Sequence, residues 1–201
     1  MIRSRRKHLS GQNHPHMIAV VSRLILRAWG WNIIGRYPDE LPKVIIVVIP
    51  HTSNWDFPLG ILVRATLRTR VVFLAKSSLF RPPFGWFFRW LGGYPVDRSQ
   101  RNQFVRTIVD IYRREPVFHT VIAPEGTRGK VDRLKTGFYY IALEAGAAMV
   151  LCRFDWGRRQ VVFREPFYAS GDLDADFRII HEFFRGATGK RPALGYRFED
   201  S

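Results

Sequence analysis

At 201 residues the chain is long enough for one domain with a real core, and no linker, repeat or low-complexity block divides it. Its formal net charge of +15, from 32 Lys and Arg against 17 Asp and Glu, calls for an anionic partner: a membrane surface, a nucleic acid or a phosphorylated small molecule. A lone Cys152 excludes an internal disulfide and fits a reducing compartment; no apolar run nears the ~20 residues of a transmembrane helix and no secretory leader is visible, so the chain is expected to be soluble or peripheral.

Residues 1–16, with Arg3, Arg5, Arg6, Lys7 and three histidines, read as a basic flexible arm ahead of a single α/β domain over 17–201. From Met17 to Trp31, Ile18, Val21, Leu24, Ile25 and Ala28 share one helical face, which predicts an N-terminal amphipathic helix. Two readings of that face stand side by side: it lies in an anionic bilayer interface, or it packs on the core.

The β-branched run Val44–Ile49 predicts a buried strand, and His51-Thr52-Ser53-Asn54-Trp55-Asp56 follows at its C-terminal edge, where open α/β sheets place ligands. On one continuous helix His51 and Asp56 would stand about 140° apart and could not meet. Ser53 or Asn54 as N-cap would start a helix at Trp55 and put Asp56 in its first turn, within reach of one imidazole nitrogen. The other nitrogen would then be free as a base. The same spacing also fits a loop histidine beside a helix-opening carboxylate with no joint role.

Arg70–Ala75 predicts a second strand. Phe80–Leu91 gathers aromatic residues and arginines behind Pro82-Pro83, as either a short core helix or an exposed apolar patch at a lipid boundary. Gly92-Gly93 ends it. A helix over Gln103–Arg114 and a strand over Val117–Ile122 follow, with His119 as a strand residue of satisfied nitrogens. Pro124–Lys130 is a loop, Leu134–Ala145 a helix, Ala147–Arg153 and Gln160–Arg164 strands. A last helix runs to about Gly186, with His181 on its surface. This alternation predicts an α/β fold with a mixed, largely parallel sheet flanked by helices.

Three loops then stand at strand ends. Arg98 in the second and Arg128 in the third offer forked donors suited to phosphate, with Lys130 or Lys135 as added charge. Gly126 allows close backbone approach and Thr127 a hydroxyl. Glu125 would repel a phosphate, so it is expected to hold an arginine or to accept a hydrogen bond from a substrate hydroxyl.

In order and spacing, His51-x4-Asp56, Gly93-x-Pro95-Val96-Asp97-Arg98 and Pro124-Glu125-Gly126-Thr127-Arg128 resemble the motifs of the glycerolipid acyltransferase family, which includes lysophosphatidate acyltransferases. The likeness covers roughly residues 40–155. It implies a glycerol-3-phosphate acyltransferase-like domain that moves a fatty acyl group from acyl-CoA or acyl-carrier protein to a lysophospholipid hydroxyl, above all that of 1-acylglycerol-3-phosphate. The setting it implies is peripheral, on the cytoplasmic face of a membrane. His51 would be the general base and Asp56 its partner, with Arg98, Glu125, Gly126, Thr127 and Arg128 binding the acceptor phosphate. Ala147–Leu151 lacks the proline usual in the family's last motif, and Thr-Ser-Asn-Trp between His51 and Asp56 leaves the acceptor open to another lyso-lipid, such as a lyso-aminolipid. A thioester is already activated, so no cofactor or metal is expected; Gly-x-Ser-x-Gly, His-Glu-x-x-His and P-loop patterns are absent from the sequence. Two further readings are a non-catalytic membrane-surface protein and a nucleic-acid-binding module; against the second, the basic residues are spread along the chain.

Overall fold

The computed structural model describes residues 16–96 and 101–198. The basic arm expected at the N-terminus, up to residue 15, lies outside the described residues. Along the chain come α1 (His16–Ala28), β1 (Asn32–Ile34), β2 (Lys43–Ile49), α2 (Asp56–Leu67), β3 (Val72–Lys76), α3 (Gly85–Trp90), β4 (Gly93–Val96), α4 (Arg101–Arg114), β5 (Phe118–Ile122), α5 (Gly137–Ala145), β6 (Ala148–Asp155), β7 (Gln160–Phe163) and α6 (Leu173–Phe184). The strands form one sheet in the order β1-β7-β6-β2-β5-β3-β4. β2, β3, β4, β5 and β6 run parallel, β7 is antiparallel to β6, and β1 lies parallel to β7.

The continuous apolar run of β2 suits a strand covered on both faces. Ile45, Val47 and Ile49 join one cluster with Ile108, Tyr112, Ile141 and Phe184 of α4, α5 and α6. Val44, Ile46 and Val48 join another with Leu26 of α1 and Leu59 and Val63 of α2. The result is a three-layer α/β domain. Because β2 lies between β5 and β6, the loops that leave β2 and β5 emerge side by side at one end of the sheet.

Two strands go beyond the expectation. β1 is three residues long, too short for any periodicity to register. β4 contains Pro95, a residue that cannot donate to a ladder, and it accordingly takes the sheet's edge. The helix expected to open at Trp55 behind a side-chain cap opens instead at Asp56, with Trp55 itself at the cap position. Ser53 still organises the turn: its Oγ accepts the Trp55 N–H at 3.2 Å, and its own N–H donates to the Asp56 carboxylate at 2.9 Å.

α1 turns its expected apolar face outward. Ala19, Ser22 and Leu26 are its buried residues, while Met17, Val21, Leu24 and Ile25 are exposed, Leu24 by 57%. Small side chains let α1 lie close on α2, and among the described residues the apolar face Met17, Val21, Leu24 and Ile25 is left exposed, so the core-packing reading of that face does not hold. The aromatic segment behaves alike. It contains the short helix of one reading and the exposed apolar patch of the other: Phe80 and Gly85 are buried, whereas Phe84, Trp86 and Trp90 stand 65%, 71% and 57% exposed. Among the described residues no helix is long and apolar enough to cross a membrane.

Candidate active site

His51 follows the C-terminal end of β2, and Asp56 opens α2 with its side chain fully buried. His51 Nδ1 lies 3.2 Å from Asp56 Oδ2, which also accepts the Ser53 N–H. The other carboxylate oxygen, Oδ1, accepts the indole N–H of Trp156 at 2.7 Å. Both of those N–H groups can only donate, so the carboxylate is an acceptor toward all of its partners and Nδ1 is the imidazole nitrogen that donates. Nε2 then carries the lone pair. The side chain of His51 is 24% exposed.

Glu125, at the end of β5, is 1% exposed. Among the described residues it holds no arginine. Its Oε2 accepts the backbone N–H of His51 and its Oε1 that of Tyr196 at 3.4 Å, so the carboxylate ties the β5 loop to the β2 loop and to the chain after α6. Burial pushes its pKa above the usual carboxylate range, and the two amides oppose that rise. Gly126 has φ +66°, and a Cβ there would run into the ammonium end of Lys135, a residue whose backbone N–H donates to the Pro124 carbonyl at 2.9 Å. Thr127 Oγ1 accepts the Gly129 N–H at 3.2 Å, a turn that leaves Arg128 exposed on the same loop. Arg98 lies outside the described residues.

The segment 186–198 crosses this end of the sheet and was not foreseen. Thr188 accepts the Trp156 N–H at 2.8 Å, Thr52 Oγ1 accepts that of Arg191 at 3.1 Å, and Tyr196 donates to Glu125. Lys190 Nζ lies 4.4 Å from the ring centroid of Trp156 and 4.9 Å from that of Trp55. A cavity of about 400 Å³ opens within the segment, between Gly186 and Phe198. No spacing rule could find these partners, since Trp156 is 100 positions from Asp56 and Arg191 is 139 from Thr52.

Two further histidines lie elsewhere. His119 has both nitrogens occupied, by the Tyr37 hydroxyl and the Leu41 carbonyl, as a strand histidine should. His181, expected on the surface, is half-buried against Phe177, Tyr196 and Phe198, because segment 186–198 folds over it.

Residues 33–154 match the family model described as Acyltransferase. Over 126 residues the chain is 29% identical to the 1-acyl-sn-glycerol-3-phosphate acyltransferase of Streptococcus pneumoniae, an alignment that takes in 59% of this chain and 46% of that protein. The chain thus spans about half the length of the curated relative it matches. The crystal structure of the 1-acyl-sn-glycerophosphate (LPA) acyltransferase from Thermotoga maritima matches with a TM-score of 0.54 at 20% identity, over 83% of this chain and 75% of that one, which is a likeness of fold.

Proposed function

Since the chain belongs to the acyltransferase family, we propose that it transfers a fatty acyl group from acyl-CoA or acyl-carrier protein to the free hydroxyl of a lysophospholipid, 1-acylglycerol-3-phosphate first among them. The observation that carries this reading is the His51–Asp56 pair at the end of the sheet, where the backbone of His51 is tied to Glu125, the residue before the Gly126–Arg128 loop.

The chemistry follows from that placement. Nε2 takes the proton of the acceptor hydroxyl as its oxygen attacks the thioester carbonyl carbon. The tetrahedral oxyanion collapses, the C–S bond breaks, and the leaving thiolate recovers the proton from the imidazolium. Asp56 holds the ring and stabilises its transient charge. A thioester is activated enough for this sequence to need no resident cofactor or metal. Backbone N–H groups near the start of α2 are the candidates for the oxyanion. Arg128, with Lys135 lying over Gly126, is suited to the acceptor phosphate, with Arg98 as a further candidate. α1 and α3, which carry the exposed apolar residues, both neighbour α2, which begins with Asp56: α1 packs on α2, and Arg64 of α2 donates to the Leu91 carbonyl just after α3. A lipid surface met there would deliver the acceptor to the site and place the enzyme peripherally, on the cytoplasmic side where acyl thioesters are made.

The test is transfer of labelled acyl groups from each donor to 1-acylglycerol-3-phosphate and to a phosphate-free hydroxylated lipid. His51→Ala should abolish transfer and Asp56→Asn should slow it, general-base assistance being worth about 10²–10⁴-fold. A His51→Ala protein as active as wild type removes the histidine from the mechanism. Equal use of both acceptors transfers the assignment to another hydroxylated lyso-lipid.

A further inference from the structure

We infer that Trp156 is a positioning residue of the His51–Asp56 pair, acting through a hydrogen bond from its indole N–H to the second oxygen of Asp56; the inference rests on the acyl-transfer reading above. Among the described residues this indole is the one donor to Oδ1, and its 2.7 Å distance is the shortest of the contacts to that carboxylate, against 2.9 Å from Ser53 and 3.2 Å from His51. A buried carboxylate oxygen without a donor is costly. Without the indole, rotation about the Cβ–Cγ bond would be the carboxylate's way to relieve Oδ1. That rotation would draw Oδ2 away from Nδ1 and release the imidazole from the orientation that the carboxylate holds.

The surroundings of Trp156 fix the donor. It sits in the turn between β6 and β7, its backbone N–H is held by Thr188, and its ring packs edge-on against Trp31 and Trp29, with centroids 4.9 and 5.7 Å away. Lys190 lies over its face, bridging to Trp55 on the loop that enters α2. A cation on an indole face draws electron density from the ring and leaves its N–H a stronger donor. Trp156 and Lys190 both fall beyond residue 154, where the family match ends, so this orientation device comes from the chain's own C-terminal part.

Trp156→Phe keeps an aromatic ring among Trp29, Trp31 and Lys190 and removes the donor together with part of the indole's packing, so the melting temperature is read beside the kinetics. Loss of a hydrogen bond to a charged group should lower kcat by about 10–100-fold with the KM of both substrates nearly unchanged. In an Asp56→Asn background the same substitution should cost little more, because its effect passes through the carboxylate. An unchanged kcat, or an equal loss in both backgrounds, overturns the inference; so does a raised KM with kcat retained and a lower melting temperature, the pattern of a purely structural residue. A proton NMR arm reads the contact without turnover. The indole N–H signal lost in Trp156→Phe should shift in Asp56→Asn, and a signal that stays in place overturns the contact itself. Wild-type protein that transfers no acyl group to any acceptor overturns the functional reading and the catalytic part of this one, while the NMR arm still decides the contact.

Discussion

A buried carboxylate one hydrogen bond from the backbone of His51, the proposed base, invites an acid–base role, yet Glu125 has both oxygens turned to main-chain amides. Its work in the fold is to fasten the β2 loop, the β5 loop and segment 186–198 to one another, which the arginine-holding expectation from sequence missed because backbone donors leave no mark in a sequence. This arrangement has a pH signature. Burial sets its folded pKa above the ordinary 4.5, so the native protein binds more protons than the unfolded chain between that value and the raised one. Stability from this group is therefore full below the window and is lost as pH rises through it. Glu125→Gln has no proton to bind. The melting temperature of wild type minus that of the variant should fall as pH climbs past about 4.5 and then level off. A difference that instead grows with pH would mean that the two amides outweigh burial.

At the scale of elements, legibility followed the length and closeness of the pattern. β2 and β6 were readable because seven and eight mostly apolar residues leave no alternative to a covered strand. The His51–Asp56 pair was readable because both ends lie on one strand–turn–helix unit. β1 and β4, at three and four residues, were not, and neither was segment 186–198, whose role depends on distant partners. That segment offers its own test. A Cβ at Gly189 would collide with the Oγ1 and Cγ2 of Thr52 and crowd Pro50, both on the loop that carries His51. Gly189→Ala must push the segment away and loosen the Arg191–Thr52 bond, so melting temperature and kcat should drop together, by a few degrees and about tenfold. Gly171→Ala, on an exposed turn where a Cβ meets nothing within 4 Å though its φ of +97° strains the backbone, is the control for a glycine substitution away from the site, since Gly189 is buried. Activity retained in Gly189→Ala would show that the segment is free to move without disturbing His51.

On the scale of the whole molecule, charge and apolar exposure point to the same partner. A net charge of +15 draws the chain toward any anionic surface, but charge alone does not choose between lipid and nucleic acid. The apolar face of α1 supplies the choice. Met17, Val21, Leu24 and Ile25 are exposed together, with Arg23 and Arg27 on the flank of the same helix, and Trp86 and Trp90 stand exposed on α3. Nucleic acid offers such a stripe nothing to bury it in, whereas a bilayer interface buries the stripe and pairs the arginines with its headgroups. Sedimentation with vesicles separates the two contributions. Binding to anionic vesicles should weaken as salt shortens the Debye length to ~10 Å at 0.1 M, and should persist in part, because the apolar contribution is not screened. Leu24→Ser with Ile25→Ser removes apolar area from residues that support no core. At about 25 cal/mol per Å² of area lost, the pair should weaken partitioning by roughly tenfold or more while the melting temperature stays put. Equal binding to neutral and anionic vesicles at low salt would strike out the electrostatic part, and unchanged binding by the α1 double variant would strike out the apolar part. Binding to duplex DNA as tight as to anionic vesicles, and equally indifferent to the α1 substitutions, would return the basic surface to nucleic acid.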